Sequence, residues 1–274
     1  MNGPRAVVVS GGFDDIRARH LRFLEEAARL GEVIVLLWPD DVVQNVCGRA
    51  PKFPVAERRY FLNAVRYVAR VVTLAASADA NALPDLDGIR PQSWIDEEAS
   101  ANDLRRAFCR RHGLQYCVLG AGQLAGFPEP APTPSTPGRQ EVIVTGCYDW
   151  FHTGHVRFFE EVSAYGDLYV TVGNDVNVRQ LKGEGHPLLP EEERRYLVGS
   201  IKHVKQALVA SGHGWLDADP EIRRLRPEIY VVNEDGDRGG KRDYCEQLGI
   251  EYRVLQRTPA PGLTRRSSTE LRGF

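Results

Sequence analysis

The chain contains an internal repeat, and this repeat constrains the fold more than any other feature of the sequence. Residues 10–26 and 145–161 align at an offset of 135, with seven of 17 positions identical. After one inserted residue in the second copy, residues 57–60 align with residues 193–196. Self-similarity at a fixed period is typical of repeated structural units. We therefore predict two tandem copies of one domain.

The segment between the copies has a different composition from either of them. Residues 126–139, GFPEPAPTPSTPGR, are rich in proline and contain no apolar periodicity. Such a stretch favours an extended, semi-rigid conformation and lacks the residues of a packed core. We predict a first domain at 1–125, a linker at 126–139 and a second domain at 140–274.

Within each copy, short β-branched runs alternate with helical patterns. In the second copy, the continuous apolar run EVIVTG predicts a strand that is buried on both faces. A loop is expected between residue 173 and a helix near 190–202. The other predicted strands of this copy are 168–173, 204–210, 229–233 and 251–255, and its other predicted helices are 155–165 and 239–248. This alternation predicts α/β architecture: two tandem Rossmann-like domains, each a doubly wound parallel sheet with ligands at the carboxyl ends of its strands.

Composition excludes several function classes. A formal net charge of −2 gives no basic field for nucleic acid or an anionic membrane surface. No apolar run approaches the ~20 residues of a membrane span. Five cysteines without a CxxC pair indicate reduced thiols and a cytoplasmic location. We expect neither nucleic acid nor membrane as a partner.

The turn after the first strand of the second copy carries the chemistry. Residues 146–155 read GCYDWFHTGH, which places His152 and His155 three apart at the start of a helix. Side chains at this spacing share one face, beside the unpaired N–H groups of a helix N-terminus, where anions bind. A zinc site is the weaker interpretation, because no third ligand has suitable spacing.

Residues 146–155 resemble the HxGH signature of the cytidylyltransferase-like nucleotidyltransferases. Three further segments resemble this family in the same order: RQLKG at 179–183, ERR at 193–195 and RSSTELR at 266–272. The tandem arrangement resembles the ethanolamine-phosphate cytidylyltransferases. The resemblance implies a nucleotidyltransferase, in which a phosphate oxygen of a small acceptor attacks a nucleoside triphosphate and pyrophosphate leaves.

The resemblance also implies a role for each matching position. His152 and His155 would bind the triphosphate, and Lys182 would bridge donor and acceptor phosphates. Further nucleotide- and phosphate-binding residues would be Gly146, Cys147, Tyr148, Gly154, Arg195, Ser267, Ser268 and Thr269. Base or substrate contacts would come from Asp149, Asp175, Asn233, Asp235, Asp237, Arg265 and Arg266, although Asp149 has the alternative role of pinning its own loop. Mg²⁺ is expected to enter with the triphosphate, with no ligands from the protein.

The identity of both substrates stays open. The GCYD turn and the tandem arrangement favour CTP, whereas residues 179–194 look most like the heptose-phosphate adenylyltransferases and favour ATP with a sugar phosphate. The acceptor carries a phosphate or phosphonate of unassigned class. A catalytically silent nucleotide-binding or assembly protein is the alternative from another class.

The first copy lacks most of this chemistry. Arg17 and Arg19 occupy the positions of His152 and Gly154, and Cys47 or Val46 aligns with Lys182. We predict that this copy does not transfer nucleotides. It either binds an anion through its arginines and His20 or acts only as a packing partner, which would make the chain an intrachain pseudo-dimer, with a homodimer as the alternative.

Overall fold

The structure is a computed structural model, and it describes residues 5–129, 134, 136–268 and 271. The chain divides into two compact units, residues 1–126 and 127–274. Each unit contains one parallel sheet of five strands with helices in the connections. The predicted α/β class with parallel sheets is therefore confirmed.

The first unit is built around the strand that opens the chain. Its sheet has the order β3-β2-β1-β4-β5, with β1 pairing in parallel with both β2 and β4. Its strands are β1 (Ala6–Gly11), β2 (Glu32–Leu37), β3 (Val68–Thr73), β4 (Ser93–Glu97) and β5 (Gln115–Leu119), and its helices are α1 (Ala18–Ala28), α2 (Asp40–Cys47), α3 (Val55–Ala64) and α4 (Asp103–His112).

The second unit has the same relative strand order, β8-β7-β6-β9-β10. Its strands are β6 (Glu141–Gly146), β7 (Asp167–Val172), β8 (Val204–Val209), β9 (Ile229–Asn233) and β10 (Glu251–Leu255). Its helices are α5 (Thr153–Ser163), α6 (Asp175–Lys182), α7 (Glu191–Gly199), α8 (Asp219–Leu225) and α9 (Lys241–Leu248). The predicted strands lie within one residue of these bounds.

The central strand of the second unit explains where a ligand can bind. Val142, Ile143 and Val144 are fully buried, because β6 pairs with β7 on one side and with β9 on the other and helices cover both faces. The chain order reverses at β6, so the connections leaving its neighbours run to opposite sides. Such a switch point opens a crevice at the carboxyl ends of the strands. Gly146, the last residue of β6, opens onto this crevice.

One predicted loop is a helix. The segment after β7 was expected to be irregular as far as residue 190, but residues 175–182 form α6. The Asn174 side chain caps its first turn by accepting from the Asn177 N–H at 2.8 Å, and the chain leaves the helix at Gly183 with a positive φ of 87°. An Asn-Asp start and a glycine after the end are helix signals that the sequence already contained.

Two further features bear on the sequence predictions. All five cysteines are free thiols. Every helix of the described residues is too short or too polar to cross a bilayer.

Candidate active site

The turn after β6 is shaped by Tyr148, which folds back over the end of its own strand. Tyr148 has a φ of 55°, and a Cβ on Gly146 would lie 2.8 Å from the Tyr148 ring. Real Cβ contacts are never this short, so any larger residue at position 146 would displace the ring. Gly146 is therefore required for packing within the turn.

Asp149 fixes the turn to the segment that follows α6. Its Oδ1 accepts from the N–H groups of Leu188 at 2.7 Å and Leu189 at 3.0 Å, and its Oδ2 lies 3.3 Å from His186 Nδ1. The carboxylate is buried and committed to these partners. This favours the loop-pinning role of Asp149 over contact with a substrate.

The backbone sets the protonation of both histidines. His152 Nδ1 accepts from the Gly154 N–H at 3.0 Å, and His155 Nδ1 accepts from the His152 N–H at 3.3 Å. A neutral imidazole whose Nδ1 accepts carries its proton on Nε2. Each ring therefore presents an Nε2–H donor. His152 Nε2 is buried and has no hydrogen-bond partner among the described residues.

Both histidines are neutral over the physiological pH range. Burial lowers the pKa of His152 to about 3, and the charges of Arg257 and Arg266 act in the same direction. Burial also lowers the pKa of His155 well below its usual range, with contributions from His152, Arg257 and Lys182. The pair therefore consists of uncharged donors surrounded by cations.

Gly154 makes space for a neighbouring side chain. A Cβ there would lie 2.8 Å from Cε1 and 2.9 Å from Nδ1 of His152. The glycine thus makes room for the imidazole of His152, which can then accept from the N–H of the glycine itself.

A cavity of about 300 Å³ lies at the carboxyl edge of the sheet, next to the histidines. It brings together many of the predicted site residues: Gly146, Cys147, Tyr148, His152, Gly154, His155, Asn233, Asp235, Ser267 and Ser268. The Ser268 hydroxyl donates to the Trp150 carbonyl at 3.3 Å, which ties the C-terminal segment to the turn. Thr269 lies outside the described residues.

Other predicted residues lie away from this cavity lining. Lys182 is exposed at the end of α6, close enough for its charge to lower the pKa of His155. Arg265 and Arg266 line a small neighbouring cavity with Gly154. Asp237 accepts from the Tyr252 hydroxyl at 2.8 Å.

The structure gives two adjacent arginines different partners. Arg195, the predicted site residue, donates to the Phe127 carbonyl at 3.1 Å. Arg194 is the one that lies behind the turn: it is fully buried and donates to the Cys147 carbonyl at 2.7 Å and to Asp175 at 2.6 Å. Asp175 is thereby committed to this arginine. Arg194 and Arg195 are both polar residues of α7, so the hydrophobic pattern of this helix does not distinguish them.

Sequence reasoning missed two cations of the cavity, Arg257 and Lys241. Arg257 follows β10 and donates to Asp235 at 2.7 Å and to the Arg266 carbonyl at 2.7 Å. Lys241 begins α9 and donates to the Gly236 carbonyl at 2.9 Å, and burial lowers its pKa. For Arg257 a signal existed, since it is the first cation after the carboxyl end of a strand in the sheet.

The described residues offer no metal cage. They contain no cluster of three or more histidine, cysteine or carboxylate side chains in metal-binding arrangement. Asp235, the carboxylate of the cavity lining, is paired with Arg257.

Comparisons with known proteins find similar sequences. Residues 143–273 match the family model described as cytidylyltransferase-like. The bifunctional protein HldE of Pseudomonas paraeruginosa (strain DSM 24068 / PA7) is 33% identical over 177 residues, which cover 62% of this chain and 34% of that protein. HldE of Azotobacter vinelandii (strain DJ / ATCC BAA-1303) is 33% identical over 175 residues with the same coverage. The chain thus spans about a third of the length of these curated relatives.

A solved structure, that of the lipopolysaccharide core biosynthesis protein from Thermoplasma volcanium GSS1, is 25% identical with a TM-score of 0.38. The matched region covers 45% of this chain and 99% of the Thermoplasma volcanium chain.

Proposed function

We propose that this chain, whose residues 143–273 match the cytidylyltransferase-like family model, transfers a nucleoside monophosphate from CTP or ATP to a small phosphate-bearing acceptor. The observation that carries the proposal is the buried, unpartnered Nε2–H of His152. A buried donor without an acceptor costs about 1–3 kcal/mol, so its retention next to an open cavity indicates a ligand atom that accepts from it.

The reaction needs positioning and charge stabilisation more than proton transfer. An oxygen of the acceptor phosphate forms a bond to the α-phosphorus of the triphosphate, and the bond from the α-phosphorus to the α–β bridging oxygen breaks. Pyrophosphate leaves with that electron pair. The nucleophile is already an anion, so no general base is required.

The residues divide this work according to charge. The Nε2–H groups of His152 and His155 would donate to phosphate oxygens without adding charge, and Arg257 would stabilise the leaving group. Lys182, exposed on α6, would reach the acceptor phosphate. Ser267 and Ser268 would donate to the distal phosphates of the nucleotide. Donors fixed before the reaction stabilise developing charge at no reorganisation cost.

Mg²⁺ would arrive as part of the substrate, bound to the triphosphate and to water. Magnesium commonly keeps several waters and is bound through substrate phosphates in such reactions. The pairing of Asp235 with Arg257 fits this assignment, because it leaves the carboxylate of the cavity lining engaged.

The GCYD turn makes CTP the first choice of nucleotide. Residues 179–194 resemble the heptose-phosphate adenylyltransferases and support ATP with a sugar phosphate as the second candidate. The test is pyrophosphate release from CTP or ATP with a panel of phosphorylated amino alcohols, polyols, sugars and phosphonates.

We expect release with one nucleotide and one acceptor class, and a loss of ~10²–10³ in rate for His152→Ala. Binding of nucleotide without release above the His152→Ala background for any pair would contradict the proposal and favour a silent nucleotide-binding protein.

A further inference from the structure

An array of aromatic rings surrounds His155 behind the cavity. The Phe151 ring is nearly parallel to the His155 ring, with centroids 5.4 Å apart and an interplanar angle of 14°. The Tyr148 ring meets His155 edge-on at 5.3 Å and 75°. His155 in turn stacks on His152 at 4.0 Å and 24°. A continuous set of ring contacts thus links Phe151 to both histidines.

The first unit lacks this array together with the histidine pair. At an offset of 135, Ile16 stands at the position of Phe151, Arg17 at that of His152 and Leu24 at that of Phe159. The remaining histidine, His20, keeps one ring neighbour, Phe13, edge-on at 6.3 Å. His20 also keeps the backbone bond, since its Nδ1 accepts from the Arg17 N–H at 3.0 Å. The hydrogen bond from a backbone N–H to the histidine Nδ1 is therefore common to both units. The aromatic ring parallel to the histidine is found in the unit that has the histidine pair.

We propose that Phe151 is a positioning residue that fixes the ring plane of His155, so that Nδ1 faces the His152 N–H and the Nε2–H faces the nucleotide. The identity of the ligand in this inference rests on the proposed function, whereas the geometry of the rings does not.

The need for such a residue follows from the weakness of the other restraint. The second side-chain torsion of histidine is broad, so torsional preference does not exclude ring rotations that move Nδ1 away from the His152 N–H. The hydrogen bond to Nδ1 is 3.3 Å long, at the weak end of the normal range. A flat ring 5.4 Å away opposes rotation of the imidazole out of its plane. Aromatic pairs of this type add stability beyond the burial of their area.

Phe151 acts through His155 and has no direct contact with the cavity. It is not among the described residues that line the cavity, whereas His155 is. The groups whose charge or titration bears on His155 come from three elements: His152 at the start of α5, Lys182 on α6 and Arg257 after β10. Phe151 is not one of these groups.

The test compares Phe151→Leu, which removes the flat ring, with Phe151→Tyr, which keeps it. Proton–nitrogen correlation spectra of the full chain report the tautomer of each imidazole. We expect His155 to be the Nε2–H tautomer in the wild type and in Phe151→Tyr, and a mixture of tautomers in Phe151→Leu. Turnover should fall ~10-fold in kcat in Phe151→Leu, with KM little changed, and Phe151→Tyr should restore it.

Phe127→Leu is the matched control, because Phe127 packs on Tyr196 instead of a histidine. It should leave the imidazole signals as in the wild type. Unchanged His155 signals in Phe151→Leu, or equal changes in Phe127→Leu, would overturn the inference. If Phe151→Leu does not fold, a mixed His155 tautomer in the folded Phe151→Tyr protein would also overturn it. Absence of pyrophosphate release from the wild type would contradict the proposed function alone, since the spectra do not depend on turnover.

Discussion

The carboxyl edges of the two sheets share a frame and differ in chemistry. In the second unit, Arg194 bonds to the carbonyls of Leu189 and Cys147 and to Asp175. In the first unit, Arg58 bonds to the carbonyls of Phe53 and Gly12 and to Asp40, which are the equivalent positions.

Asp14 repeats the role of Asp149 by accepting from the N–H groups of Lys52 at 2.8 Å and Phe53 at 3.0 Å. A contact kept by the unit without the histidine pair serves the fold. The comparison therefore assigns Arg194 and Asp149 to the frame.

The first unit has cations at its edge, but carboxylates pair with them. Arg17, at the position of His152, lies 3.0 Å from Asp15, and Arg19, at the position of Gly154, lies 2.8 Å from Glu97. Lys52 also lies 3.1 Å from Asp15. Carboxylate pairing also occurs in the second unit, where Arg257 pairs with Asp235, so pairing alone does not separate the two edges. The edges differ at the buried His152 Nε2, which has no hydrogen-bond partner among the described residues and whose position is taken by Arg17 in the first unit.

The largest expected effect is a loss of activity from a substitution in the second unit, with no loss from the matching substitution in the first unit. His152→Ala should lower pyrophosphate release ~10²–10³-fold in a chain that still folds, because it removes one donor to the transition state. Arg17→Ala, at the same position of the first unit, should leave the rate unchanged. Comparable losses in both variants would mean that the first edge takes part in the reaction.

The second prediction concerns the shared frame. Arg194→Ala and Arg58→Ala should each lower the free energy of unfolding by about 3 kcal/mol, because each strands buried carbonyls that lose a charged donor. Denaturant unfolding of the full chain measures the change. A stable Arg194→Ala protein with lost turnover would instead place Arg194 in the reaction.

The third prediction uses the depressed pKa of His152. The unfolded chain binds a proton at this residue below pH ~6.5, whereas the folded chain binds one only near pH 3, so stability falls as the pH drops below 6.5. Between pH 7 and pH 5 this single histidine should cost about 2 kcal/mol. His152→Gln should remove that part of the acid sensitivity in denaturant titrations at the two pH values, and Arg17→Gln should not. Equal acid sensitivity of His152→Gln and the wild type would show that His152 is protonated in the folded state.

The fourth prediction addresses the glycine between the histidines. Gly154→Ala should lower turnover ~10-fold, about 1.4 kcal/mol, because the added Cβ must move the His152 ring. The reciprocal change Arg19→Gly should give no gain in release, since the first unit also lacks His152. A Gly154→Ala enzyme with full activity would show that the ring can move without loss.

The smallest effect is expected at the exposed ion pair of the first edge. Arg19→Ala should change the free energy of unfolding by less than ~1 kcal/mol, because the arginine side chain is 58% exposed and its pair with Glu97 is screened by solvent. Thermal unfolding at low and high salt checks this. A large loss would mean that the pair fixes the fold of the edge.

The sequence predicted the fold well because its signals were local and repeated. Apolar runs such as residues 141–146 are long enough to define a buried strand, and the offset of the repeat supplied the same order twice. It also predicted the histidine pair, since a spacing of three at a helix start fixes their shared face. The helix α6 was not predicted, although Asn174 and Gly183 are sequence signals for its start and its end.

Other parts of the site depend on distances that sequence does not encode. Arg194 and Arg195 are adjacent on a charged helix, and the side of α7 that faces the turn decides which of them bonds to it. Arg257 enters the cavity because β10 pairs in parallel with β9, which brings the carboxyl ends of the two strands to the same edge of the sheet. The tautomers of the histidines depend on backbone N–H groups that every residue has.

The identical strand order of the two units has a consequence for how the chain folds. During folding, β6 could pair with β2, or β1 with β7, because either pairing would satisfy the same parallel register. Exchange of equivalent elements between neighbouring domains is a characteristic misfolding route of repeat proteins. The edge charges oppose it, since an exchanged α1 would separate Arg19 from Glu97, its partner on β4. The sequence differences between the two edges thus also help each strand to find its own sheet.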